Sequence, residues 1–359
     1  MDVEDRVRLI SRNTLEVVTV EELRRLLEAG RPRGYLGYEP SGLVHVGWLV
    51  WMFKVRDMVE AGVDFRLLEA TWHAFINDKL HGDMRLIRSA TRIVRAVLEA
   101  IGVGDRISYV DAEELASDKD YWGLVLRVLK ANSMARMRRA LTIMGRRADE
   151  AELDASKIVY PAMQVSDIFY MGIDIALGGM DQRKAHMLAR DTAEKLGRRK
   201  PVAVHTPIIS SLQGPGRMEA GVEADEALAE VKMSKSKPET AIFVHDPPEA
   251  VARKIRKAYC PARQVEHNPV LEINRYILFA QPGFVLHVER KPRFGGPVDY
   301  HSYEELERDF AEGRLHPLDL KNATAEALNR LLDPIRRRLL GDPETRRLIE
   351  EIERAGVTR

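Results

Sequence analysis

The sequence predicts an α/β protein: a doubly wound parallel sheet carrying a helical insertion, followed by an all-helical C-terminal domain. Three observations predict it. Between residues 31 and 245, short apolar runs alternate with amphipathic helical stretches, the pattern of parallel strands with crossover helices. A stretch over 121–147 breaks that alternation with a helical pattern dense in arginine. After Pro247 the patterns are helical throughout. The chain has 359 residues, which suits two domains at roughly 100–200 residues each. With 45% hydrophobic and 31% charged residues it has material for a core and is not a disordered or collagen-like chain.

The elements follow in order. Residues 1–30 form an N-terminal helical segment in which Thr19-Val20-Glu21-Glu22 is a capping box and Gly30 the stop. Gly34 to Tyr38 reads as a buried strand, broken by Glu39-Pro40-Ser41-Gly42. Val46 to Glu60 is an apolar helix closed by Gly62, Val63 to Ala70 a strand, Asp83 to Ala100 an amphipathic helix and Ile107 to Val110 a short strand. One long helical stretch is expected from Tyr121 to Gly145, as an insertion between two halves of a Rossmann-like nucleotide-binding fold. Ile173 to Leu177 is strand, Asp181 to Gly197 helix, and Val202 to Val204 a further strand. Helices are expected at Pro248–Ala258, Leu271–Ala280, Ser302–Glu312, Asp319–Leu340 and Pro343–Ala355, forming a second domain over 246–359. The acidic, alanine-rich stretch 218–230 reads as a surface insertion without an assigned role.

Composition excludes several classes. Lys and Arg number 56 against 55 Asp and Glu, a net charge of +1, so the chain is no polybasic coat protein, although a local basic face fits within that balance. The single cysteine, Cys260, allows no intrachain disulfide and no Cys-rich metal site; burial or a turn is its plain reading. The acidic start MDVEDRVRLI has no apolar signal core, and no run approaches the roughly 18 apolar residues of a membrane span. A cytoplasmic protein without a membrane partner is expected.

Three constellations carry chemistry. At 34–60 a Pro-Ser-Gly turn feeds a helix whose first turn holds His45 and Gly47. A helix N-terminus suits a phosphate, Gly47 lets a base or ribose approach the backbone, and His45 can donate to a phosphate oxygen. A surface histidine at a helix start is the plainer reading of that segment alone. The run Lys232-Met233-Ser234-Lys235-Ser236-Lys237 reads either as a solvated basic loop or as a clamp on a polyphosphate. Tyr160, Gln164 and Asp167 fall at i, i+4 and i+7 of an otherwise apolar helix. Such a stripe is either a set of structural hydrogen bonds or the wall of a pocket for a small polar molecule.

Together, His45-Val46-Gly47 and Lys-Met-Ser-Lys-Ser resemble the paired signatures of class I aminoacyl-tRNA synthetases, with Trp48 where the second signature histidine usually stands. Tyr35-Leu36-Gly37-Tyr38-Glu39-Pro40-Ser41-Gly42, the Tyr-x-x-x-Gln-x-x-Asp stripe, Gly179-Met180-Asp181-Gln182-Arg183, and the stretches 254–266, 290–296 and 315–322 are similar to archaeal and eukaryotic tyrosyl-tRNA synthetases over nearly the whole chain. The resemblance implies that Tyr35 and Asp167 meet a phenolic hydroxyl, while Tyr160, Gln164 and Gln182 hold the substrate's amino and carboxylate ends. It puts Gly37, Glu39, His45 and Gly47 on the ATP side with Met233 and Ser234, and Lys232 and Lys235 on the leaving pyrophosphate. Arg183 would contact the first acceptor base pair, Phe294 would stack on an anticodon base, and His316 and Asp319 would read its edge. Without the resemblance, His316 and Asp319 read as a helix entry with Pro317 just inside.

The implied activity is ATP-dependent activation of L-tyrosine and its transfer to tRNA(Tyr), in a homodimer built largely on residues 121–147. Mg2+ would arrive with ATP, and no protein-bound metal or organic cofactor is expected. The alternatives are tryptophanyl-tRNA synthetase, against which Asp167 argues, and a catalytically silent RNA-binding relative, against which the intact lysine run argues. His73, just after a strand, is a weaker candidate for the substrate site. Arg336, Arg337 and Arg338 read as a solvated helix face or a phosphate contact.

Overall fold

The computed structural model describes residues 1–145, 154–214, 233 and 238–356. Six strands form the main sheet: β1 Glu16–Val18, β2 Arg33–Tyr38, β3 Asp64–Glu69, β4 Ser108–Asp111, β5 Ile175–Gly179 and β6 Val202–Thr206. Their spatial order is β1-β6-β5-β2-β3-β4, parallel except for β1. The chain steps outward from β2 through β3 to β4, then returns to the other side of β2 for β5 and β6. The carboxyl ends of β2 and β5 therefore flank a topological switch point, where open α/β sheets bind ligands. Strands β5 and β6 are buried almost throughout, as central parallel strands are.

Several boundaries move for local reasons. The expected helix at Val46 starts as a tight turn over Val46–Trp48 before the α-helix Leu49–Glu60. The single stretch expected from Tyr121 to Gly145 is broken: helix Lys119–Ala131 ends at extended Asn132, and Ser133 caps a new helix, Met134–Ala140. The helix expected from Leu271 begins at Pro269 under an Asn268 cap and widens into a π turn over Asn274–Leu278.

Two expectations need correction. The segment 1–30 is not helical throughout: between helices Val3–Ser11 and Val20–Ala29 lies β1, which pairs antiparallel with β6. The C-terminal region is helical but not all-helical. It carries a two-stranded antiparallel ribbon, β7 Leu286–Val288 with β8 Val298–Tyr300. All three strands have only three residues, too few to display a period of two.

One cluster of buried side chains runs from Val7 and Ile10 through Leu67 and Val94 to Leu332 and Ile352, so the C-terminal helices share a core with the sheet's helices. Arg338 to Glu99 at 2.6 Å, with Arg85–Glu351 and Arg92–Glu344, ties helices Pro317–Gly341 and Pro343–Ala355 to helix Met84–Ala100. A second cluster, with Tyr35, Tyr121, Val125 and Met163, fills the space between the sheet and helices Lys119–Ala131 and Tyr160–Tyr170. No helix among the described residues is long and apolar enough to cross a membrane.

Candidate active site

Helix Tyr160–Tyr170 lends Ala162, Met163, Val165, Ile168 and Phe169 to this second cluster, and every residue from Tyr160 to Phe169, the polar stripe included, is buried. Asp167 is 1% exposed and Tyr35 2% exposed. Burial, reinforced by the Asp167 charge, pushes the Tyr35 phenol well above its ordinary pKa, so it stays protonated and able to donate. Asp167 Oδ1 accepts from the Tyr121 hydroxyl at 2.7 Å. Asp167 Oδ2 lies 3.2 Å from His73 Nε2, yet that oxygen and both His73 ring nitrogens are buried without an aligned hydrogen bond. Burial also raises the Tyr121 pKa, again with help from Asp167.

The other residues of the stripe are joined to the turn after β2. The Tyr160 hydroxyl donates to Glu39 Oε1 at 2.7 Å, and its ring meets His73 edge-on at 5.0 Å. Glu39 also accepts from Asn77 Nδ2 at 2.9 and 3.1 Å. Gln164 Nε2 donates to Gln182 Oε1 at 3.2 Å, and Gln182 Nε2 donates to the Ile143 carbonyl at 3.1 Å. Gln164 Oε1 is a further buried acceptor without a partner. Gly37 is exposed on the same strand, and a side-chain carbon there would come within 2.6 Å of the Tyr35 hydroxyl oxygen.

His45 and Gly47 form one turn. His45 caps the short helix, its Nδ1 accepting from the Gly47 N–H at 3.2 Å, while Val46 N–H donates to the Ile242 carbonyl at 2.8 Å. A side-chain carbon on Gly47 would sit 3.0 Å from the His45 ring. Trp48 packs edge-on against Tyr38 at 5.8 Å between ring centroids and lies 6.3 Å from His45. Met233 is buried, with its N–H on the Ile209 carbonyl at 3.3 Å. Lys232, Ser234, Lys235 and the stretch 218–230 lie outside the described residues.

The remaining candidates are not brought into this cleft. Arg183 starts helix Arg183–Lys195, next to Gln182, and its Nε donates to Glu16 Oε1 at 2.6 Å. Phe294 stands 57% exposed between β7 and β8, with the Arg293 guanidinium 4.8 Å above its ring. His316 caps helix Pro317–Gly341, its Nδ1 accepting from Leu318 N–H at 3.1 Å, and Asp319 lies in the first turn. Sequence reasoning missed Tyr121 and Asn77. Tyr121 had a signal: it leads the apolar face Leu124, Val125, Val128, where a buried hydroxyl needs a partner. Asn77 had none, because its contact with Glu39 spans 38 residues. Among the described residues no group of three or more His, Cys, Asp or Glu could hold a metal.

The chain belongs to the class I tRNA synthetases of the W and Y family, whose model matches residues 28–333. It is 71% identical over 356 residues, 98% of each chain, to a tyrosine–tRNA ligase of Aeropyrum pernix, and 57% identical over its whole length to that of Sulfurisphaera tokodaii, covering 99% of that protein. Among solved structures, the Pyrococcus horikoshii tyrosyl-tRNA synthetase in complex with L-tyrosine matches with a TM-score of 0.90 at 44% identity, over 98% of this chain and all of the other. A tryptophanyl-tRNA synthetase from Aeropyrum pernix shares the fold, with a TM-score of 0.64 at 18% identity over 93% of this chain and 84% of that one.

Proposed function

We propose that the protein activates L-tyrosine with ATP and transfers it to tRNA(Tyr), using the cleft at the carboxyl ends of β2 and β5. The observation that carries this reading is the set of buried polar atoms without an aligned hydrogen bond: Asp167 Oδ2 and His73 Nε2, which face each other at 3.2 Å, with His73 Nδ1 and Gln164 Oε1. Each such atom costs roughly 1–3 kcal/mol until a ligand satisfies it. A phenol hydroxyl donates to Asp167 and accepts from Tyr35; an ammonium group donates to Gln164, with Tyr160 and Gln182 around it. The tyrosine carboxylate attacks the ATP α-phosphorus, pyrophosphate leaves, and a hydroxyl of the tRNA's terminal ribose then takes the tyrosyl group from AMP. No protein nucleophile is required. Positioning and charge stabilisation supply the rate.

Gly37, Glu39, His45 and Gly47 line the ATP side in this reading, with Met233 and Ser234. Lys232 and Lys235 neutralise the leaving pyrophosphate, and Mg2+ enters bound to the ATP phosphates. Residues 31–245 serve as the catalytic domain and 246–359 as the anticodon-binding domain, where exposed Phe294 stacks on a base and His316 and Asp319 read its edge. A homodimer is supported by the helix Lys119–Ala131, which exposes Trp122 (41%) and Leu126 (65%) on one face, with Met134 (63%) beyond it. An apolar hollow of about 460 Å³ opens beside Trp122. The relatives named for tyrosine favour that amino acid over tryptophan, which is represented by fold likeness alone. Pyrophosphate exchange dependent on tyrosine, but not on tryptophan or phenylalanine, is the expected result; exchange driven best by tryptophan overturns the assignment.

A further inference from the structure

A chain of polar side chains, running from half-buried Glu16 to two buried histidines, lies behind Arg183 and has no part in the chemistry above. Glu16 and His205 stand opposite each other in the β1–β6 register. The same Glu16 oxygen, Oε1, meets Arg183 Nε at 2.6 Å and His205 Nδ1 at 2.7 Å. His205 Nε2 in turn lies 2.9 Å from His186 Nδ1, the two rings stacked. Both histidines are fully buried.

Donor and acceptor capacity dictate the protons along this chain. A carboxylate oxygen paired with arginine only accepts, so His205 carries its proton on Nδ1 and presents a bare Nε2. His186 must then donate from Nδ1, leaving its Nε2 as an acceptor, which is buried and unpartnered. Burial holds both imidazoles below the ordinary histidine pKa, and each resists a second proton. His186 also packs beneath Gly178: a side-chain carbon there would meet His186 Cε1 at 3.0 Å and Gln182 Cβ at 2.9 Å. The chain therefore runs from under the Gln182 wall of the amino-acid pocket to the guanidinium of the next residue.

We propose that Glu16 is a positioning residue for the acceptor end of the tRNA, holding the Arg183 guanidinium in one orientation, with His205 and His186 as its backing. The contact uses one of the five N–H donors of Arg183; the four on Nη1 and Nη2 are those a nucleotide takes. The edge strand β1 exists, on this view, to deliver Glu16. The inference rests on reading Arg183 as the contact to the first acceptor base pair.

The test compares Glu16→Ala, Glu16→Gln, Arg183→Ala and the Glu16→Ala/Arg183→Ala double variant of the full chain. Each is assayed for tyrosine-dependent pyrophosphate exchange and for aminoacylation of tRNA transcripts with the native or a swapped first acceptor pair. Glu16→Ala is expected to lower kcat/KM for the native transcript about tenfold, as a misaimed group does. Exchange should stay within about twofold, Glu16→Gln should recover part of the loss, and the swapped transcript should feel little of it. In the Arg183→Ala background Glu16→Ala should add nothing. Additive losses, or an equal fall in exchange for both Glu16 variants, overturn the positioning role while leaving Arg183 its contact. Full aminoacylation by Arg183→Ala removes the premise itself.

Discussion

At the residue scale the protein faces the choice between tyrosine and phenylalanine, which differ by one oxygen. An apolar pocket alone discriminates little between them. In the proposed pocket Asp167, held by Tyr121 and acting on the Tyr35 phenol, makes the missing hydroxyl costly, because the polar groups proposed to meet it stay unpaired. Asp167→Ala is expected to reduce tyrosine activation sharply and to narrow the tyrosine-to-phenylalanine ratio of kcat/KM about ten- to hundredfold, as the loss of a buried hydrogen-bonded acceptor suggests. Tyr35→Phe should act the same way more mildly, since it removes one hydroxyl and keeps the ring. Pyrophosphate exchange with each amino acid measures both; an unchanged ratio in a folded Asp167→Ala protein places hydroxyl recognition elsewhere. Lys235 is proposed to act on the other substrate. Its charge matters most as pyrophosphate leaves, so Lys235→Ala should slow adenylate formation by on the order of 10²–10³ with a smaller change in ATP affinity. An unchanged single-turnover rate removes this role.

At the scale of elements, the tasks are divided. In the proposed reading, helix Tyr160–Tyr170 turns its polar stripe to the amino acid and the His45 turn offers a helix start to the nucleotide, while helix Pro317–Gly341 carries its capped first turn at the surface. A helix entry proposed also to read a base makes a separable prediction. Asp319→Ala should weaken aminoacylation by roughly 1–3 kcal/mol, the usual worth of one base contact, and spare pyrophosphate exchange. Equal damage to both reactions identifies Asp319 with the helix entry alone. The same scale shows what local pattern conveys. The stripe was readable from spacing, and so was the Thr19 cap, whose capping box with Glu22 is present. The break at Asn132–Ser133 was hidden inside a continuous helical pattern, because Asn132 leaves the helix to donate to Thr192, 60 residues away.

At the scale of the whole molecule, a net charge of +1 gives no global attraction for nucleic acid, so tRNA binding depends on local contacts. The proposed dimer draws on the exposed apolar face of helix Lys119–Ala131. Leu126→Glu, at a side chain 65% exposed, should leave the fold intact yet shift the protein from dimer to monomer in sedimentation equilibrium, since a charge buried at an interface centre is costly. A variant that stays dimeric at low micromolar concentration moves the interface to another face.

The sequence by itself determined the strand–helix alternation, the helical C-terminal region and the residues of the buried polar stripe. These are local: periodicity, caps and turn residues act within about ten positions, and the signature runs are contiguous. Only the tertiary structure decided what lies opposite the stripe. The partners of Asp167 come from Tyr121 and His73, and those of Glu39 from Asn77 and Tyr160, up to 121 residues distant. The short strands β1, β7 and β8 were equally invisible, because three residues have no period and gain their order from the strand beside them. A buried polar group must find its complement wherever the chain brings one, and that pairing is a property of packing, which no window along the sequence contains.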